Sequence, residues 1–161
     1  MAELRKNSVH PGGNRRTRLI FALAGLLLIV SFSAACESTP ADRTAVIDLV
    51  NQTRAQHGLP ALRENITLDR KADGWAQQLR NACSLSHSKL SDGAPKEWMK
   101  LGENVGYGGS IAQVHDAYLR SPGHRANILD PSFTSLGAAA VWGTCPDGTH
   151  RVFTVQEFMK A

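Results

Sequence analysis

The stretch LGAAAVWGTCPDGTHRVFTVQEF, Leu136–Phe158, decides the architecture. It holds two strand-like runs, Leu136–Trp142 and Arg151–Phe158, separated by a loop containing Pro146-Asp147-Gly148. Proline presets its φ, aspartate bonds the backbone beyond it, and glycine accepts a positive φ, so this loop is a turn with a mechanism. The chain therefore ends in a β-hairpin.

Working back from the hairpin, the period changes from two to that of a helix. Ser121–Pro131, SPGHRANILDP, has the parts of a short bounded helix: Ser121 as a cap, Pro122 at the first position and Asp130-Pro131 as the stop. Before it, Ser110 and Gln113 have the spacing of a capping box, and Ile111, Val114 and Tyr118 form an apolar face. The region Ser84–Gly109 is rich in glycine and irregular, with one short extended piece expected at Glu103–Val105. Leu68, Ala72, Trp75, Ala76, Leu79 and Cys83 recur at helical spacing behind Thr67 as the expected cap. Gly74 inside this helix costs about 1 kcal/mol relative to alanine, so packing is expected to outweigh propensity there. A first helix follows Asp42, with Val46, Ile47, Val50 and Ala55 on one face, and ends at Gly58 and Pro60. Helices first and a hairpin last argue for an α+β fold.

The chain has 161 residues, which is the size of one domain, and its first 35 residues read as an export signal. A basic segment ending in Arg15, Arg16 and Arg18 precedes the apolar run Leu19–Phe32, and Ser33, Ala34 and Ala35 supply small residues for cleavage. As a helix this run would span roughly 21 Å, short of a bilayer core of roughly 30 Å. Residues 36–41 read as a short tether and residues 42–161 as the folded domain. The whole chain carries a net charge of +4, but residues 1–35 hold five basic side chains and one acid, leaving 13 of each sign beyond them. The basic excess belongs to the signal, so there is no electrostatic case for a nucleic-acid partner.

Three cysteines are present in a chain that reads as exported. Cys83 and Cys145 both fall in the folded part and are expected to pair. Cys36 directly follows the small residues of the signal. It resembles the acylated cysteine of a bacterial lipoprotein, although Ser33 stands where an aliphatic residue is usual. Lipidation of Cys36 is expected, with ordinary cleavage after Ala35 as the alternative.

Of six histidines, His10 lies in the signal, His57 complements a helix C-terminus, and His115 and His150 are expected to be solvated. His87 and His124 differ, because neither lies on an apolar stripe. His124 begins a helix, where the positive end of the dipole disfavours a cation. Glu103 is an acid in a glycine-rich segment. By spacing alone these three residues form no metal motif.

Taken together, LVNQTRAQHGLPAL, SLSHS, GENV, SPGHRANILDPSFTSLG and the terminal VQEF resemble the CAP superfamily. This is the cysteine-rich secretory, antigen 5 and pathogenesis-related 1 group, also called SCP, and the likeness is to its compact bacterial branch. The resemblance spans Asp42–Phe158. It implies a three-layer α-β-α sandwich with a central antiparallel sheet. It also implies a cleft in which His87 and His124 hold zinc or another divalent metal, with Glu103 as a general base or partner of the metal-bound water. Ser121 stands about where the eukaryotic pattern carries a further glutamate. Two function classes follow: a binding module for a lipid, glycan or protein ligand at the cell surface, and a metal-dependent hydrolase acting on peptide or cell-wall bonds. A secreted or lipid-anchored envelope protein is expected. Nothing calls for an obligate oligomer, so a monomer is expected.

Overall fold

A computed structural model describes residues 37–161. The segment read as an export signal and Cys36 lie outside the described residues. The elements run α1 (Pro40–Gln56), β1 (Arg63–Glu64), α2 (Ile66–Ala82), β2 (Lys100–Gly108), α3 (Ile111–Arg120), α4 (Pro122–Ile128), β3 (Ser135–Thr144) and β4 (His150–Lys160). The α+β reading and the closing hairpin hold. The four strands form one sheet in the order β1-β3-β4-β2, antiparallel except for the two-residue β1, which pairs in parallel with β3.

Strand periodicity sorts the core into two layers. On one face Leu136, Ala138 and Ala140 of β3 and Val152 and Phe158 of β4 pack under Val46 and Val50 of α1, Val114 and Tyr118 of α3 and Ile128 of α4. On the other, Ala139, Val141, Phe153 and Val155 meet Ala72, Ala76 and Leu79 of α2. The small residues of β3 allow α2 to sit close. A Cβ on Gly137 would lie 2.2 Å from the Leu68 carbonyl carbon and 2.5 Å from the Asp69 nitrogen, so only glycine admits the helix there.

Several local expectations change. Asn65, not Thr67, caps α2: its side-chain oxygen accepts from the Thr67 and Leu68 N–H groups at 3.0 and 3.2 Å. The helix begins two residues earlier than its apolar face suggests, at exposed Ile66. Ser121 serves as the junction of α3 and α4 through its backbone alone, and its hydroxyl makes no capping bond. The extended piece around Glu103 is a nine-residue strand, because β4 pairs with it along Lys100–Gly108. Ser110 does cap α3, accepting from the Gln113 N–H at 3.2 Å.

Two features tie the periphery down. Cys83 and Cys145 form the expected disulfide across 62 residues of sequence. Cys83 ends α2 in the left-handed conformation, φ 49°, where glycine is usual. In the segment read as a tether, Ser38 is buried. Its N–H donates to Asp73 at 2.8 Å and its hydroxyl accepts from the Ala140 N–H at 2.9 Å.

Candidate functional site

The site straddles the edge strand β2. Successive side chains of a strand point to opposite faces, so Glu103 projects toward α2 while Asn104 projects toward α3 and α4. Glu103 is buried, its side chain 1% exposed, and its oxygens are occupied on every side. His87 Nδ1 donates to Oε1 at 2.6 Å. The Ser88 N–H reaches Oε1 at 3.0 Å and Oε2 at 3.3 Å, and Lys71 Nζ lies 3.9 Å from Oε2. Burial pushes the Glu103 carboxyl up, but the bonds from Ser88 and His87 outweigh it and hold it below the ordinary range.

Because a carboxylate only accepts, Nδ1 of His87 carries a proton, and in the neutral imidazole Nε2 then presents a lone pair. The His87 side chain is 60% exposed, so that lone pair is open to a ligand. Across β2, His124 in the first turn of α4 packs edge-on against Tyr118, with ring centroids 4.9 Å apart. Burial lowers the His124 pKa, and the charge of nearby His87 lowers it further, so this imidazole is neutral near pH 7. Its placement depends on an amide cluster. Asn104 Nδ2 donates to the His124 carbonyl at 3.1 Å and to Gln156 at 2.9 Å, while Asn127 Nδ2 donates to Asn104 Oδ1 at 2.9 Å. Beside His124 lies a recess of about 300 Å³, walled by Leu85, Val105, Tyr107, Tyr118, Ser121 and His124.

Sequence reading missed the support behind Glu103. Glu157 of β4 is its register partner, and Lys71 of α2 pairs with Glu157 and donates to the Ser88 hydroxyl at 2.6 Å. Burial pushes the Glu157 carboxyl up to about 8 despite Lys71, and the Glu103 charge adds to the rise. The available signal was the parity of Glu157, an acid flanked by Val155 and Met159 on an inward-facing stripe. His115, expected to be solvated, is instead buried and bonded to the Thr53 hydroxyl at 2.8 Å. The α1–α3 contact covers it. His57 stands at the C-terminal end of α1 and His150 is exposed, both as expected.

The residues fit a divalent ion in a limited way. Two imidazoles with open nitrogens suit zinc or a similar borderline ion, and the Glu103–His87 bond is the carboxylate–histidine arrangement that orients such a ligand. Glu103 stands behind His87, and Ser121 brings no acid to the recess. Among the described residues, no group of three or more histidine, cysteine, aspartate or glutamate side chains could hold a metal.

Residues 47–158 match the cysteine-rich secretory protein family, CAP. The chain belongs to this family. The CAP domain is 31% identical over 118 residues to the uncharacterized protein YkwD of Bacillus subtilis, a match covering 68% of this chain and 46% of that protein. It is 35% identical over 107 residues to the fruiting body protein SC7 of Schizophyllum commune, covering 62% and 50%. The chain thus spans about half the length of these relatives. Among solved structures, an extracellular SCP-domain protein of Bacillus anthracis aligns with a TM-score of 0.58 at 25% identity, covering 76% of this chain and 44% of that one. An outer surface protein of Borrelia burgdorferi shares the fold, with a TM-score of 0.62 at 18% identity, covering 73% and 90%. These likenesses make this a CAP domain of bacterial type with extracellular neighbours. No helix among the described residues is long and apolar enough to cross a membrane.

Proposed function

We propose that this CAP domain is a ligand-binding module of the cell envelope, exported and held at the membrane by acylated Cys36. Its cleft holds a divalent ion, zinc foremost, between His87 and His124. The observation that carries the reading is the His87 Nδ1–Glu103 bond of 2.6 Å, which fixes the tautomer of the neutral imidazole and leaves Nε2 open to a ligand. Glu103 is a positioning residue here. A bound ion would offer open positions to a carbonyl or carboxylate, and the recess would take an apolar group from the same lipid, glycan or protein ligand.

A hydrolase would need a free general base within reach of water. The Glu103 oxygens are engaged by His87, Ser88 and Lys71, which favours binding over hydrolysis of peptide or cell-wall bonds. Titration calorimetry tests the site. The purified protein takes up one zinc ion and the His87→Ala/His124→Ala double variant takes up none; equal uptake by both overturns the reading. Intact mass of the membrane fraction tests the anchor, since a chain starting at Cys36 without added lipid removes it.

A further inference from the structure

Gly74 lies mid-way along α2, where glycine weakens a helix, and the expected compensation from packing is missing. A Cβ built on Gly74 meets nothing within 4 Å. Alanine would therefore fit and strengthen the helix, so the fold alone gives no reason for glycine at this position. What Gly74 faces is a groove of about 630 Å³ between the outer side of α2 and the segment following it.

The groove is built and held. Arg70, Gly74 and Gln78 recur every four residues along its floor, and Trp75 stands beside them. Its opposite wall, carrying Ser88 and Lys89, is tied to α2 at two points. Trp75 Nε1 donates to the Ser86 carbonyl at 2.9 Å, and Lys71 Nζ donates to the Ser88 hydroxyl at 2.6 Å. The indole is thus fixed as an apolar wall, and the absent side chain at Gly74 exposes the helix backbone beneath it.

The charges select the occupant. Lys71 is bonded to Glu157 and lies 3.9 Å from the ionised Glu103 carboxylate, and Lys89 pairs with Asp92 at 3.2 Å. Arg70 is exposed and has no acidic partner among the described residues. An indole wall, an open backbone floor and one unpaired guanidinium suit a small amphiphile with a flat apolar body and a single anionic group. We propose that the α2 groove is a second ligand site for such a molecule, separate from the His87–His124 cleft. The body lies over Gly74 against Trp75, and the anion meets Arg70.

The probes are anilinonaphthalene sulfonate and N-phenylnaphthylamine, which share an aromatic body and differ in the sulfonate. Fluorescence titration of the metal-free protein should show the sulfonate binding about tenfold more tightly than its neutral analogue. Arg70→Gln should erase that preference. Gly74→Leu fills open space, so the protein stays folded by circular dichroism and loses dye binding by at least about tenfold. Unchanged dye affinity in folded Gly74→Leu overturns the site, and an anion preference that survives Arg70→Gln overturns the assigned ligand class. Because the titration is made without metal, a failure of zinc uptake leaves its outcome standing.

Discussion

Glu103 and Glu157 stand opposite one another on neighbouring strands, and at neutral pH they do not share one charge state. Hydrogen bonds keep Glu103 ionised, while burial keeps Glu157 protonated up to about 8. Lys71 lies between them as the cation of the group. Two buried carboxylates this close are tolerated because one proton and one ammonium divide the cost.

This arrangement sets a pH dependence of stability. The folded pKa of Glu157 exceeds its ordinary value of 4.5, so between about 4.5 and 8 the native state binds more protons than the unfolded chain. Its contribution is complete below that window and is lost as pH rises through it. Urea denaturation of Glu157→Gln should show a shallower fall in stability between pH 5 and pH 8, each value marking roughly one end of the window. Lys71→Met leaves the carboxylates without their cation and should cost about 3–5 kcal/mol at neutral pH.

At the acid side His115, like His124, makes a contribution of opposite sign. Burial lowers its folded pKa below 6.5, with Asp116 opposing weakly, and its Nδ1 has no partner. The unfolded chain then binds the proton more readily, so the contribution of His115 to stability is lost as pH drops below 6.5, opposing that of Glu157. His115→Gln should abolish that loss in the same denaturation series, and an unchanged slope would remove His115 as its cause.

Two glycines should respond oppositely to the same substitution. Gly74→Ala adds a methyl group in open space and should raise stability by about 1 kcal/mol, read as a rise of a few degrees in Tm. Gly137→Ala drives a methyl group into the α2 backbone and should cost about 3 kcal/mol or more.

Closing a loop across 62 residues, the Cys83–Cys145 bridge should contribute about 2–5 kcal/mol. The Cys83→Ser/Cys145→Ser variant should lose that amount by denaturation. Non-reducing peptide mapping should recover the two cysteines in one fragment pair.

The sequence by itself determined what depends on near neighbours. Helical spacing marked α1, α2 and α3, the Pro146–Gly148 turn marked the hairpin, and Ser110 marked a helix start. The family motifs located His87, Glu103 and His124, and two cysteines in the folded part sufficed to name the disulfide. Contacts distant in sequence were decided only by the tertiary structure. Glu157 meets Glu103 because the β2–β4 register aligns residues 54 positions apart, and Lys71 joins them because Gly137 lets α2 settle on the sheet. His115 is buried because α1 covers its side of α3, a fact that helical periodicity within α3 does not carry. Gly74 looked like a packing compromise and faces a groove instead. In each case the side chain's role follows from what an element far away in sequence places against it.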